Sequence, residues 1–331
     1  MFGVAAVVVM LLTFDVSWAQ IKEMLQQTGI IFPVCVLLWL VIYIMNARSW
    51  QIIINHGESK VRFCPVLGMT VSGFALNYTT PFGLMGGEPY RILTLKPYIG
   101  IERATSSVVL YVMMHIYSHF WFWMSAVPLY ITLHFFNPVK YALSLPLIIC
   151  VAVFAVVFAL TVYLFRKGYD NGFLMKLLKL CARLPFIGKP IMRFTERNAE
   201  KISNTDKRIS MLRSCGKAAF CKSLSLEFLA RVVGCVEYWL IMRCIMPGCT
   251  YADAYIIVAF SSLFSNILFF IPMQLGSKEG SVAAAAYSLN IGSGVGLFTA
   301  LVTRVREMIW IVIGVVLMFF SKNAHDERTD I

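Results

Sequence analysis

The chain has 331 residues, of which 59% are hydrophobic and 14% are charged, and its mean hydropathy is +0.74. This composition excludes an ordinary soluble domain. The formal charge of +12 does not indicate nucleic-acid binding, because Lys and Arg concentrate in a few loops between apolar runs, which is the positive-inside pattern of a multi-pass membrane protein.

Seven apolar runs approach the length of about 20 residues that a membrane-spanning helix needs. In chain order they are residues 1–18, 29–46, 104–134, 141–165, 218–246, 251–271 and 292–320. The first run has no basic start and no small-residue cleavage site, so we do not interpret it as a removable signal peptide. The nine cysteines show no C-x-x-C spacing and are interpreted as small apolar side chains.

The distribution of basic residues predicts which loops are cytoplasmic. The strongly basic segment 166–217 must lie inside, and the basic loops 47–62 and 91–103 and the tail 321–331 lie with it. Loops 19–28, 137–140 and 247–250 hold few basic residues and are predicted to lie outside. Both termini are therefore predicted to be cytoplasmic.

Two segments begin and end on the same side of the membrane in this assignment. Residues 63–90 enter from inside and turn at "TTPFGLMGGEP", whereas residues 251–290 enter from outside and turn at "FFIPMQLGSKEG". Both are predicted to be re-entrant helical hairpins, since non-helical backbone is tolerated at membrane depth only where protein or water satisfies it. The predicted turn residues are Pro81, Gly83, Gly86, Gly87, Pro272, Gly276 and Gly280.

Both turns read P-x-x-L-x-x-x-E, and each follows an asparagine, Asn77 or Asn266. Residues 1–136 and 137–320 then have the same order of elements in opposite directions. We predict an all-α polytopic membrane protein built as an inverted-topology repeat, with about six full transmembrane helices and two re-entrant helical hairpins. The alternative is that Pro and Gly only kink ordinary spanning helices.

Charged residues inside apolar segments are costly, by about 2.5 to 3.5 kcal/mol each, so they need partners or a function. The candidate substrate-binding residues are Asn77, Glu88, Arg91, Asn266, Lys278, Glu279, Arg304, Arg306 and Glu307. Free N–H groups of half-helices near Gly86 and Gly276 would favour a phosphate-bearing headgroup. The two glutamates would carry protons or bind an amine.

Several alternatives remain beside this site. Glu227 and Arg231, at i and i+4, are predicted to form an intrahelical pair, while Arg304 and Glu307 share a face of the last helix and Arg306 points elsewhere. His115 and His119 share a helix face, but no third ligand stands at a diagnostic spacing, so we predict no metal and no cofactor. No motif of a nucleophile elbow, a phosphate-binding loop or a zinc protease supports enzymatic chemistry.

The two turns also carry a family resemblance. "PFGLMGGEPYR" resembles the P-G-x-x-G-E-x-x-R stretch, and "IPMQLGSKEG" the I-P-G-G-x-G-x-x-E stretch, of the lysylphosphatidylglycerol synthase transmembrane-region family of flippase-like integral membrane proteins. "ARSWQIII" at 47–54 is similar to that family's L-R-W-x-x-L-L. The chain departs from the family at Phe82 and Met273, where glycine is usual, and stiffer turns are expected there.

The resemblance implies a function. In that family the membrane unit is the lipid-translocating half of the bacterial multiple peptide resistance factor, whose separate soluble domain aminoacylates phosphatidylglycerol. Eleven residues follow Phe320, so we expect no catalytic domain and no enzyme activity. The resemblance implies translocation of a phospholipid or related amphiphile across the bacterial cytoplasmic membrane, with Glu88, Arg91, Glu279 and Arg304 at the matching positions. The alternative is a scaffold that presents lipid to a separately encoded transferase.

Overall fold

The computed structural model describes residues 26–55, 60–79, 86–142, 217–267, 274 and 276–329, with the isolated positions 156, 159 and 192. In these ranges eight α-helices have described bounds, and no strand occurs. The helices are α1 Ile31–Ile54, α2 Phe63–Thr79, α3 Gly87–Ile99, α4 Ile101–Phe136, α5 Lys217–Ile245, α6 Tyr251–Ile267, α7 Ser277–Ser288 and α8 Ser293–Thr329. The predicted span 1–18, nearly all of the span 141–165 and of the basic segment 166–217, and the turn residues Pro81, Gly83 and Pro272 lie outside the described residues.

Four helices exceed the length of about 20 residues that crosses a bilayer: α1 has 24 residues, α4 36, α5 29 and α8 37. They coincide with the predicted spans 29–46, 104–134, 218–246 and 292–320. By length and apolar composition together, α1 alone among the described helices is suited to cross a membrane, and α6 is apolar but shorter. Helices α5 and α8 contain charged residues that lower their hydropathy.

Two pairs of short consecutive helices pack against each other, α2 with α3 and α6 with α7. We call them the first and the second hairpin. In the first hairpin, the backbone N–H of Gly87 donates to Oδ1 of Asn77 at 2.6 Å. A Cβ at Gly87 would lie 2.1 Å from the carbonyl oxygen of Gly73, so this crossing requires glycine. In the second hairpin, Gly276 has a φ of +75° just before α7, a value that glycine adopts readily.

The first hairpin differs from its predicted bounds. The predicted loop 91–103 is wrong, because α3 continues to Ile99 and α4 starts at Ile101, with a break only at Gly100, whose φ is +79°. Gly87 is the first residue of α3 rather than a turn residue. The charged residues in this stretch do not interrupt a helix, since Arg and Lys have good helix propensity.

Two bounds near the second hairpin also differ. Gly280 lies inside α7 instead of in the turn, because the turn ends with the left-handed residue Gly276. Helix α8 runs on to Thr329, so most of the predicted tail 321–331 has helical backbone. Residues 323–329, "NAHDERT", contain Ala, Glu and Arg, which favour helix.

The packing of the helices follows a regular pattern. The lengths of α1 to α4 are 24, 17, 13 and 36 residues, and those of α5 to α8 are 29, 17, 12 and 37. Helices α1 and α5 pack most extensively, with the hydroxyls of Ser49 and Ser223 2.8 Å apart. Let α1 correspond to α5, α2 to α6, α3 to α7 and α4 to α8. Each of the other extensively packed pairs of described helices then has a counterpart: α1–α2 and α5–α6, α2–α3 and α6–α7, α3–α4 and α7–α8, α2–α8 and α6–α4, α1–α4 and α5–α8, α4–α5 and α8–α1.

The predicted short loops around 137–140 and 247–250 are present and are joined to each other. Thr250 and Asp253 form a capping box at the start of α6, in which the Thr250 N–H donates to Asp253 Oδ2 at 2.9 Å and the Asp253 N–H donates to Thr250 Oγ1 at 3.2 Å. Lys140 Nζ and the Tyr141 hydroxyl also donate to Asp253, at 2.8 and 2.6 Å. These bonds fix the start of the second hairpin to the end of α4.

Candidate functional site

Each hairpin carries a buried cluster of polar side chains at the start of its second helix. The first-hairpin cluster consists of Trp50, Glu88, Arg91, Tyr111, His115 and Glu227. The second-hairpin cluster consists of Glu237, Lys278, Glu279, Arg304, Arg306 and Glu307. The sequence-predicted residues are therefore divided between two places, and helix α5 contributes one glutamate to each.

Glu279, in the first turn of α7, is joined to α8 by Arg304. The Nε of Arg304 donates to Glu279 Oε1 at 2.6 Å, and its Nη1 donates to Glu307 Oε2 at 3.2 Å. Lys278 forms an ion pair with the other oxygen of Glu307. The prediction that Arg304 and Glu307 share a face is confirmed, and both also hold the start of α7.

Arg306 points away from Arg304, as predicted, and reaches α5. Its Nε and Nη2 donate to the two oxygens of Glu237 at 2.7 and 2.8 Å. The indole N–H of Trp39 donates to Glu237 at 2.7 Å, and the Arg306 guanidinium lies 3.8 Å from the centroid of the same indole. Arg306 and Glu237 are 1% and 0% exposed, so this bidentate pair is fully desolvated. The three acids and three bases of the second-hairpin cluster give a net charge of zero.

Arg91 in α3 is 2% exposed but has weaker polar contacts. Its Nη1 is 3.4 Å from Glu88 Oε1, and its Nη2 is 3.5 Å from the Thr70 carbonyl oxygen. Instead, the guanidinium lies among three rings, with its Cζ 4.9 Å from the centroid of Phe74, 5.4 Å from Tyr111 and 5.8 Å from Trp50. Such an environment stabilises a cation through the ring faces and leaves donors for another group.

Beyond Arg91, the cluster continues across α4 to α5. His115 Nδ1 lies 2.8 Å from Glu227 Oε2. Arg231 donates from Nε to the Ser118 hydroxyl at 2.9 Å and from Nη2 to the His115 carbonyl at 2.8 Å. The predicted intrahelical pair of Glu227 and Arg231 is wrong, because α5 packs on α4 and both side chains bond there.

The two clusters differ in how completely they are hydrogen-bonded. Among the buried side-chain atoms of the described residues, those without a partner are Trp50 Nε1, Glu88 Oε2, Arg91 Nε, Tyr111 Oη, His119 Nδ1, Glu227 Oε1 and Ser265 Oγ. Six of these seven belong to the first-hairpin cluster or to its neighbour His119, and none belongs to the second-hairpin cluster. Since buried polar groups in proteins are nearly always paired, the first-hairpin cluster is where an additional polar group or a water molecule could bind.

One backbone N–H at the start of each of the helices α3 and α7 already has a side-chain acceptor. The Gly87 N–H donates to Asn77 Oδ1, and Asn77 Nδ2 donates to Glu88 Oε1 at 3.1 Å. The Gly276 N–H donates to Glu279 Oε2 at 2.9 Å. These acceptors contribute to capping the two helices.

Asn266 does not join the cluster to which the repeat assigned it. Its Nδ2 donates to the Ser262 carbonyl of its own helix at 2.7 Å. His115 and His119 do lie side by side, with ring centroids 5.3 Å apart. In the described part of the chain, however, no three His, Cys, Asp or Glu side chains are grouped as metal ligands.

The structure adds residues that the sequence did not assign to the site. Glu237 and Glu227 had a signal, since each is a charge within an apolar run. Trp39, Trp50 and Tyr111 had none, because aromatic residues are common in transmembrane proteins and nothing distinguishes a ring that binds a guanidinium from one that faces lipid.

Comparison with known proteins identifies the family. Searches of curated proteins and of solved structures give no match. The family model described as the lysylphosphatidylglycerol synthase TM region matches residues 1–315, which include every described residue of both clusters. This match confirms the resemblance seen in the hairpin motifs, and the chain belongs to the lysylphosphatidylglycerol synthase TM region family.

Proposed function

We propose that this protein moves a phospholipid, or a related anionic or zwitterionic amphiphile, between the leaflets of the bacterial cytoplasmic membrane. The family is defined by a transmembrane region and is tied by its description to lipid modification. The family model that matches this chain describes a transmembrane region, and we do not propose aminoacyl transfer by this protein. Charged groups within such a region usually mark a pathway for a polar substrate.

One observation carries the proposal: each hairpin presents a glutamate in the first turn of its second helix, next to an arginine. In the first hairpin Glu88 lies 3.4 Å from Arg91, and in the second Glu279 lies 2.6 Å from Arg304. Arg91 and Arg304 are 2% and 5% exposed. A phosphate group and a hydroxyl or amine of a lipid headgroup would find donors and acceptors there.

The matching order and packing of α1–α4 and α5–α8 support an inverted repeat of residues 1–136 and 137–320. In such proteins, the two halves exchange conformations around a site near the middle of the membrane, so that the site opens to each side in turn. The hairpins would be re-entrant, with their tips meeting the lipid headgroup. Alternating access of this kind explains why a charged site recurs in both halves.

Translocation of a fluorescent phospholipid in proteoliposomes tests the proposal. We expect Glu88→Gln and Glu279→Gln to slow translocation at least tenfold, because each removes a charge from the site, while size exclusion shows folded protein. The control is Glu102→Gln at an exposed position of α4, which should translocate at the wild-type rate. Wild-type rates in both site variants would refute the assignment of these residues.

The alternative is a scaffold that presents lipid to a separately encoded transferase. Purification of the wild-type protein, rather than mutation, distinguishes this alternative from the transport proposal. No translocation by the wild-type protein, together with a lipid-modifying enzyme copurifying in equal amount, would replace the transport proposal.

A further inference from the structure

The pair of His115 and Glu227 has no part in the binding contacts described above, yet it joins α4 to α5. Glu227 is 1% exposed, whereas the His115 side chain is 28% exposed. The 2.8 Å contact between Nδ1 and Oε2 forms whether the shared proton is on the imidazole or on the carboxyl group. The pair can therefore gain or lose a proton through the more exposed imidazole without losing its hydrogen bond.

The groups around the pair set its charge balance. The rings of Phe74, Tyr111 and His119 contact the His115 ring, and Arg231 donates to the His115 carbonyl. Arg91 lies on the other side of Tyr111, with Glu88 and Trp50 beside it. The polar groups of α6 and α8 contact other positions of α4 and α5. Tyr255 of α6 bonds Ser125, and Arg306 of α8 bonds Glu237. With both histidines neutral, the two acids and two arginines of this region sum to zero.

An anionic headgroup changes that balance. A phosphate group beside Arg91 adds a negative charge to a neutral cluster in a medium of low dielectric, where uncompensated charge is costly. Taking up one proton on the pair restores neutrality. We propose that the His115–Glu227 pair binds a proton together with the phosphate group of the lipid, so that headgroup binding and proton uptake strengthen each other.

Of the residues with unpartnered atoms, Tyr111 lies close to both Arg91 and this pair. Tyr111 lies 5.4 Å from the Arg91 guanidinium, and its ring centroid is 6.2 Å from that of His115. Tyr111 Oη, His119 Nδ1 and Glu227 Oε1 each lack a partner among the described residues. These groups can exchange hydrogen bonds with a headgroup or water, which links the anion and proton positions.

The inference rests on the proposed function because it takes Arg91 as the phosphate contact. It is tested with purified protein in detergent, by titrating short-chain phosphatidylglycerol and recording affinity and proton uptake with a pH indicator from about pH 6 to about pH 8. Coupling of one proton predicts uptake of up to about one proton per bound lipid and a Kd that falls by up to about tenfold per unit decrease in pH.

Two variants and one control sharpen the test. His115→Gln and Glu227→Gln should bind the lipid without proton uptake and with a pH-independent Kd. His134→Gln, on the same helix but bonded to the Tyr141 carbonyl, should retain both effects. A soluble phosphodiester without acyl chains, such as glycerophosphoglycerol, does not itself titrate in this pH range; if it also causes uptake, it supports the proposal and shows that the acyl chains are not required.

The proposal is overturned if the wild-type protein binds lipid without taking up a proton, a measurement that needs no folded variant. It is equally overturned if both variants keep the wild-type pH dependence. Proton-coupled binding without translocation would refute the proposed function but not this inference, whereas translocation without proton uptake would refute only the inference.

Discussion

Each hairpin cluster places a glutamate beside an arginine at the start of the second helix, but the two clusters differ in how completely their polar groups are paired. In the second-hairpin cluster every charge is matched by an opposite charge within the cluster, and Arg306 and Glu237 form a bidentate pair. In the first-hairpin cluster Arg91 is held mainly by aromatic faces, and several polar atoms have no partner in the described part of the chain. A completed network holds helices together, whereas an incomplete one leaves capacity for a ligand.

The comparison implies that the same kind of substitution will affect stability to different degrees in the two clusters. Removing a partner from the fully desolvated Arg306–Glu237 pair leaves a buried charge uncompensated, which lowers stability, whereas Glu279→Gln keeps an acceptor for Arg304 at a less buried position. Removing a polar atom in the first cluster breaks few internal bonds, so any loss should appear in lipid binding or translocation rather than in unfolding.

Glu237→Ala should give the largest loss of stability. It leaves the buried Arg306 guanidinium without its bidentate acceptor, and breaking such a pair costs about 3–5 kcal/mol. Thermal unfolding in detergent would show a large decrease in midpoint. The double variant Glu237→Leu with Arg306→Met should recover most of it, since an apolar pair needs no charge compensation; no recovery would mean that the pair is not the cause.

Trp39→Phe and Trp50→Phe form a matched comparison. The first removes an N–H that donates to the Glu237 carboxylate, and hydrogen bonds to charged groups contribute about 1.5–3 kcal/mol. The second removes an N–H that has no partner among the described residues. Trp39→Phe should therefore lower the unfolding midpoint more than Trp50→Phe does, and the reverse order would contradict the contrast between the clusters.

Gly87→Ala and Gly280→Ala test the close crossing in the first hairpin. A Cβ at Gly87 meets the backbone oxygen of Gly73, which cannot move aside cheaply, and overpacking of this kind costs about 1–3 kcal/mol. Gly280 lies in α7 with nothing near its Cβ position, so alanine there should stabilise the helix by about 0.5–1 kcal/mol. Equal effects in the same unfolding assay would exclude the proposed crossing.

Tyr111→Phe should have the smallest effect on stability. The hydroxyl of Tyr111 has no partner within the described ranges, whereas the hydroxyls of Tyr255 and Ser125 are hydrogen-bonded to each other. We expect Tyr255→Phe to cost about 1 kcal/mol and Tyr111→Phe close to none, measured by thermal unfolding. Translocation should show the opposite order, and a Tyr111→Phe variant with full transport would separate this hydroxyl from the lipid site.

The sequence predicted the helical segments and the charged residues better than it predicted their partners. Glu88, Glu279 and Arg304 stand out because charge is rare in apolar runs, and their placement at the hairpins follows from the glycines and prolines beside them. That Glu227 bonds His115 instead of Arg231 depends on which face α5 turns towards α4. Local spacing within one helix cannot reveal that choice.

Other differences arise from tertiary packing. The loop expected at 91–103 is helical because only Gly100 breaks it. Basic residues indicate the side of the membrane on which a segment lies, and they do not indicate whether it is helical. Asn77 and Asn266 have equivalent positions in the repeated motif, but only Asn77 reaches the next helix of its hairpin. A shared motif therefore predicts position more reliably than contact.

Helix α5 contributes Glu227 to one cluster and Glu237 to the other, and ten residues of helix separate them by about 15 Å along its axis. Inserting or deleting one residue between them would rotate one glutamate by about 100° relative to the other, so no such change can keep both contacts. The length of this segment is thus constrained more strictly than its residue types, and relatives that bind the same class of lipid should vary here by substitution and not by insertion or deletion.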